Sequence, residues 1–235
     1  MPSTELRKLA AIMFTDMVGY SALAQRNEAL ALEVLDEHRG LLRGIVERHG
    51  GREVKSMGDG FLFEFPSALS AVQGAAEMQR QLHERNKANP VERQVRIRIG
   101  IHVGDVVLRA GDIHGDGVNI AARIEPLAAS GGICVSEDVV RAVRNKVSFP
   151  LLPIGPRELK HIDLPIAVYR VVMPGKGHPL HRPRGRSSRG RHGGPPARCW
   201  SALRDCFGGQ ARDRPWCHGW NRRYPPHQIC QSNLL

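Results

Sequence analysis

The first 173 residues of this 235-residue chain contain one cysteine, Cys134, and no tryptophan. A single cysteine in the body excludes a disulfide framework and fits a reducing compartment, so the expected location is cytoplasmic. No run of 18 apolar residues occurs, which excludes a helical membrane span. The opening MPSTELRKLAAIMFTD lacks a long apolar core and meets acid at Asp16, unlike a secretory leader. Aromatic residues are only 5% of the chain, too few for a nucleic-acid stacking surface.

The formal charge of +11 would suggest a polyanion partner, but it is unevenly placed. Residues 174–235 carry 12 Lys/Arg and 2 Asp/Glu, leaving 22 and 21 for residues 1–173. The body is nearly neutral, so nucleic acid is not its expected partner. The division expected is a folded domain over 1–173 and a basic Arg/Gly/Pro-rich tail over 174–235. The tail has no apolar period and holds all three tryptophans, and it is expected to be disordered. Its four cysteines lack the close pairing of a zinc knuckle.

The body alternates strand-like and helix-like segments. LAAIMFT (9–15) is a short apolar run that predicts a buried strand. Asn27 opens a helix to about His49, with Gly50-Gly51 ending it. A hairpin follows, with strands near 52–57 and 60–65 around a Met57-Gly58-Asp59-Gly60 turn, read as type I′. Ser67 caps a helix to about Arg85. QVRIRIGIHVGDVVL (94–108) alternates with Val95, Ile97, Ile99, Ile101 and Val103 on one face. Arg96, Arg98 and a polar-face His102 lie on the other, and Gly104-Asp105 reads as a bend. A helix over about 115–127, a strand GICVS, a Ser136-capped helix and two closing strands complete the set. The order β-α-β-β-α-β with further αβ elements predicts an α+β, ferredoxin-like sheet with helices on one face.

Three stretches carry chemistry. In FTDMVGYS (14–21) a strand ends on Asp16 before a glycine turn. The carboxylate could hold a hard cation, and free N–H groups at Val18, Gly19 and Tyr20 could hold phosphate oxygens; Asp16 could equally be a helix cap. In EVKSMGDGFLFEF, Asp59 is either a turn residue or a second carboxylate beside Asp16. Two such carboxylates repel unless a divalent ion separates them. In GDIHGDGVNIAARIE (111–125), Asn119 and Arg123 are four apart and share a helix face, which suits a sugar and a phosphate or merely solvent.

Together these stretches resemble the catalytic domain of class III adenylyl/guanylyl cyclases, over about residues 8–173. The resemblance implies that Asp16 and Asp59, with the Met17 backbone, hold two divalent cations (Mg²⁺ or Mn²⁺). It implies that Lys55 and Asp112 read adenine, that Asn119 and Arg123 serve the transition state, and that Lys160 holds the terminal phosphates. It further implies a head-to-tail homodimer with shared active sites and ATP as substrate, converted to cyclic AMP and pyrophosphate. Lys55 and Asp59 would then serve different sites, although one hairpin carries both. A guanylate cyclase and a non-catalytic nucleotide-sensing or dimerisation module are the alternatives.

Overall fold

The structure is a computed structural model that describes residues 6–160, 162 and 165–173. The expectation of a disordered tail over 174–235 lies outside the described residues. In chain order the elements are β1 (Leu6–Met17), α1 (Tyr20–Arg26), α2 (Glu28–Arg48), β2 (Arg52–Met57), β3 (Gly60–Phe65), α3 (Ala68–Lys87) and β4 (Ile97–Arg109). They continue as β5 (Asp112–His114), α4 (Asp116–Ile124), β6 (Ile133–Ser136), α5 (Glu137–Val143), β7 (Leu151–Arg157) and β8 (Ile166–Val171). The sheet order is β2-β3-β1-β4-β6-β8-β7, with β5 paired to β4. Strands β2, β3, β1 and β4 are antiparallel neighbours, which is the ferredoxin-like arrangement; β6 adds to β4 in parallel.

One sheet face carries the main core. Ala11, Met13, Phe61, Phe63, Phe65, Ile97, Ile99 and Ile101 pack there against Val34, Leu42 and Ile45 of α2 and Val72, Ala75 and Met78 of α3. Full burial of each large apolar side chain stabilises by about 1.5–3 kcal/mol, so the phenylalanine trio of β3 is a principal anchor. Asn27 and Ser67 cap α2 and α3 as expected, accepting from the backbone N–H groups of Leu30 and Ser70 at 3.1 Å each.

The expectation of helices on one face alone is corrected. Helix α4 lies on the opposite face, where Ala121 packs with Ala10, Ile12, Leu62 and Val106. Strand β3 is therefore buried on both sides along its whole length. The Gly104-Asp105 bend is also corrected: β4 stays paired through both residues, opposite Ala10 and Leu9 of β1. Cross-strand hydrogen bonding and the cover of α4 keep the strand extended there. Helix α1 was missed, since its seven residues contain no buried side chain to mark a period. His102 does face the polar side of the strand pattern but is only 5% exposed. Its Nδ1 lies 2.9 Å from Ser136 Oγ, and that contact occupies the hydroxyl expected to cap α5.

His38 is the other buried imidazole. It is 0% exposed, neither ring nitrogen has a hydrogen-bond partner among the described residues, and its ring meets Phe61 edge-on at 5.8 Å. Burial, with the Arg85 charge adding to it, lowers its pKa from 6.5 to about 4. The unfolded chain binds this proton below pH 6.5 and the folded chain only below about 4. Stability from a neutral His38 is therefore complete above pH 6.5 and declines as pH falls toward 4, by on the order of 3 kcal/mol. Urea unfolding between pH 7.5 and 4 should show a steeper loss for the native chain than for His38→Leu; parallel curves would contradict this account.

Candidate functional site

Of the residues singled out from the sequence, Asp16 is brought near Asp59 and Lys55 meets Asp112, while among the described residues no polar contact ties Lys160 to either pair. Even-numbered residues of β1 point to the α4-covered face of the sheet, as Ala10 and Ile12 do, and Asp16 continues the series near the end of the strand. Opposite it in register stands Arg98 of β4, which donates to an Asp16 carboxylate oxygen through Nη2. Asp59 sits in the two-residue turn joining β2 to β3. Only Gly58 of that turn has a positive φ, +66°, so the type I′ reading is corrected: type I′ needs positive φ at both central residues. The turn brings Asp59 to Asp16: burial holds Asp59 above the usual carboxylate range, and the Asp16 charge pushes the same way. Its own backbone hydrogen bond and the Arg98 charge oppose the rise.

A third carboxylate, Glu125, was missed from the sequence. It follows α4 directly, is 8% exposed, and places Oε1 2.9 Å from Arg98 Nε. Burial, opposed by Arg98, raises it to about 7, with Asp16 and Asp59 adding to the rise. One guanidinium thus serves three crowded carboxylates. The available signal for Arg98 was its place on the polar face of the strand that pairs with the Asp16 strand; nothing in local spacing pointed to Glu125.

This surplus of carboxylate tests the fit of a divalent cation. Among the described residues no group of three or more His, Cys, Asp or Glu side chains is arranged to hold a metal. Two carboxylates suffice for Mg²⁺, which keeps several waters and takes its other ligands from substrate phosphates. Asp16 and Asp59 fit that role, and their mutual repulsion would be relieved by it. Met17 is buried, so its contribution would come from its backbone carbonyl.

Lys55 and Asp112, the two residues expected to read a purine, meet within one chain. Arg52 of β2 donates to the Gly111 carbonyl at 3.2 Å, pinning the Ala110-Gly111 turn beside the hairpin. Asp112 then meets Lys55, whose Nζ donates to its Oδ2 at 2.6 Å. The Lys55 hydrogen bond holds Asp112 below the usual carboxylate range, against a smaller opposing effect of burial. Asn119 and Arg123 are exposed on α4, and neither side chain has a polar partner among the described residues. Lys160 is exposed beside a groove lined with Glu158, Leu159, Ile162 and Pro165. Of the turn amides, the Val18 N–H is not free: it donates to the Arg96 carbonyl at 2.8 Å, because β1–β4 pairing runs past the end of the strand. Gly19, with φ +84°, and Tyr20 begin α1.

The sequence profile of the adenylate and guanylate cyclase catalytic domain matches residues 4–171. The chain belongs to that family. This cyclase domain is 38% identical over 164 residues to a Rhizobium meliloti (strain 1021) protein provisionally named adenylate cyclase 3. That match takes in 69% of this chain but only 28% of the relative's length. Among solved structures, an adenylate/guanylate cyclase/hydrolase from Silicibacter pomeroyi is 39% identical at a TM-score of 0.68, covering 72% of this chain and 99% of that one. The adenylyl cyclase CyaB from P. aeruginosa is 25% identical at a TM-score of 0.65, covering 72% and 96%.

Helix α4 of the cyclase domain is seated by glycine. A Cβ on Gly100 would lie 2.3 Å from the Glu125 nitrogen and 2.6 Å from its Cα. Gly100→Ala should therefore displace the end of α4, costing about 1–3 kcal/mol or more, measured by urea unfolding. Exposed Gly40 in α2 has no atom within 4 Å of such a Cβ, and Gly40→Ala should instead stabilise by about 0.5–1 kcal/mol. Equal effects of the two substitutions would contradict the close approach at Gly100.

Proposed function

We propose that the protein is an adenylate cyclase, converting ATP to 3′,5′-cyclic AMP and pyrophosphate at sites shared across a head-to-tail homodimer. The observation that carries the choice of ATP is the Lys55–Asp112 pair, a donor and an acceptor 2.6 Å apart. Adenine offers N1 as acceptor and its 6-amino group as donor, matching Lys55 and Asp112 respectively. Guanine reverses both groups and would leave each side chain mispaired, a mismatch that can discriminate by about 10⁴-fold or more.

The 3′-oxygen of the ribose attacks the α-phosphorus as the bond to the bridging oxygen of pyrophosphate breaks. Divalent cations held by Asp16, Asp59 and the Met17 carbonyl would supply charge neutralisation and acidify the 3′-hydroxyl. Arg123 neutralises charge developing at the α-phosphate, and Asn119 orients the ribose. Lys160 holds the terminal phosphates. Gly19 and Tyr20 offer turn amides to phosphate oxygens, whereas Val18 lines the turn with its N–H already engaged.

Sharing across a dimer is supported by the partition of charge within one chain. The carboxylates are served by their own Arg98, while Asn119 and Arg123 face outward without side-chain polar partners among the described residues. A cytoplasmic location fits the single body cysteine, and among the described residues no helix is long and apolar enough to cross a membrane.

Full-length protein incubated with Mn²⁺ and ATP or GTP should yield cyclic AMP in preference to cyclic GMP. Lys55→Ala and Asp59→Ala should each lower turnover at least about 100-fold. Their mixture should recover roughly a quarter of native activity, because half the dimers formed at random carry one intact site of two. A mixture no more active than its parts would rule out shared sites. Lys55→Glu combined with Asp112→Cys should shift preference toward GTP; unchanged preference would defeat the purine assignment. No cyclic product from a folded dimer would point to a nucleotide-sensing module.

A further inference from the structure

The Asp16–Arg98–Glu125 chain spans both halves of the site. Arg98 is hydrogen-bonded to Asp16, but its approach to Glu125 is of a different kind. Nε and Oε1 are 2.9 Å apart, yet among the described residues both atoms are buried without a hydrogen-bond partner of good geometry. The two groups are in ion-pair range and misaligned. The guanidinium is turned to Asp16 and only leans on Glu125.

Glu125 also stands at a mechanically sensitive point. Its backbone rests against Gly100 on β4, and it follows Arg123 by two residues at the end of α4. The two backbones are in close approach there, so the end of α4 has no room to move toward β4 when this side chain is pulled. If Asp16 is given over to a divalent cation, Arg98 loses its better partner. The nearest carboxylate able to take it is Glu125.

We infer that Glu125 is a positioning residue that receives Arg98 when a divalent cation occupies Asp16, coupling cation occupancy to the seating of the α4 end that carries Arg123. This rests on the reading of Asp16 and Asp59 as cation ligands. In the shared-site dimer, Asp16 and Arg123 of one protomer belong to different active sites. Cation binding at one site is then felt by the transition-state residues of the other.

The test is Mn²⁺ binding to the full chain without nucleotide, followed by electron paramagnetic resonance. With only a neutral amide oxygen to receive it, Arg98 stays on Asp16 and competes with Mn²⁺, so Glu125→Gln should weaken binding about tenfold. In an Arg98→Ala background the same substitution should have no effect. A loss that persists in that background marks a merely structural role and overturns the inference, as does an unchanged affinity for Glu125→Gln alone. Should Glu125→Gln fail to fold, Glu125→Asp keeps the charge on a shorter arm and should give an intermediate loss, again abolished by Arg98→Ala; persistence of that loss overturns the inference too. ATP and GTP turnover by the native chain in the same preparation separates the two readings. Coupled Mn²⁺ binding without cyclic product would keep the relay and remove the cyclase reading. Cyclic product with independent effects of Glu125 and Arg98 would do the reverse.

Discussion

Backbone contact between β4 and α4 is the constraint on which the site depends. Arg98, Gly100, His102 and Gly104 form one stripe along β4, and α4 lies on its two glycines. A Cβ on Gly104 would come within 3.2 Å of the Gly117 Cα at the start of the helix, and one on Gly100 would meet Glu125 at its end. At Gly100 the nearest atoms are all backbone, and at Gly104 the His102 ring stands beside the Gly117 backbone, so close backbone approach sets the height of the helix above the sheet. Asn119 and Arg123 inherit that fixed position, and Glu125 is brought down onto Arg98.

The second organising term is electrostatic. Asp16, Asp59 and Glu125 crowd one end of the sheet, and Arg98 is the cation placed among them. The raised Asp59 and Glu125 show a cluster held together at some cost, because burial disfavours their charged forms and each neighbouring carboxylate adds to it. A structural ion network would balance its charges. This one leaves room for more positive charge, which is the condition a cation-dependent phosphoryl site requires. The end proposed to read the purine differs: Lys55 and Asp112 neutralise each other, and under that proposal a base entering there would exchange their mutual contact for its own edge.

Much of this was legible in the chain. Caps at Asn27 and Ser67, the apolar alternation of β4 and the hairpin around Asp59 are local features, set by side-chain hydrogen bonding and by the two-residue period of a strand. The three motifs also carried the family likeness, because their spacing is read without knowing the fold. Arg98 and Glu125 were not legible. They are 27 residues apart, and neither belongs to a local pattern that marks a site. His102 looked solvent-facing, because strand alternation tells which side a residue takes but not what will cover that side.

The sequence by itself determined most of the elements, though not α1 or β5, together with the division of charge along the chain and the identity of the motif residues. Each follows from interactions between near neighbours or from composition. Tertiary structure decided that α4 crosses to the second sheet face, that Lys55 meets Asp112 across 57 positions, and that Asp16, Arg98 and Glu125 share one charge cluster. Those outcomes depend on strand register and on glycines that admit close backbone approach, and both are properties of chain segments brought together from afar.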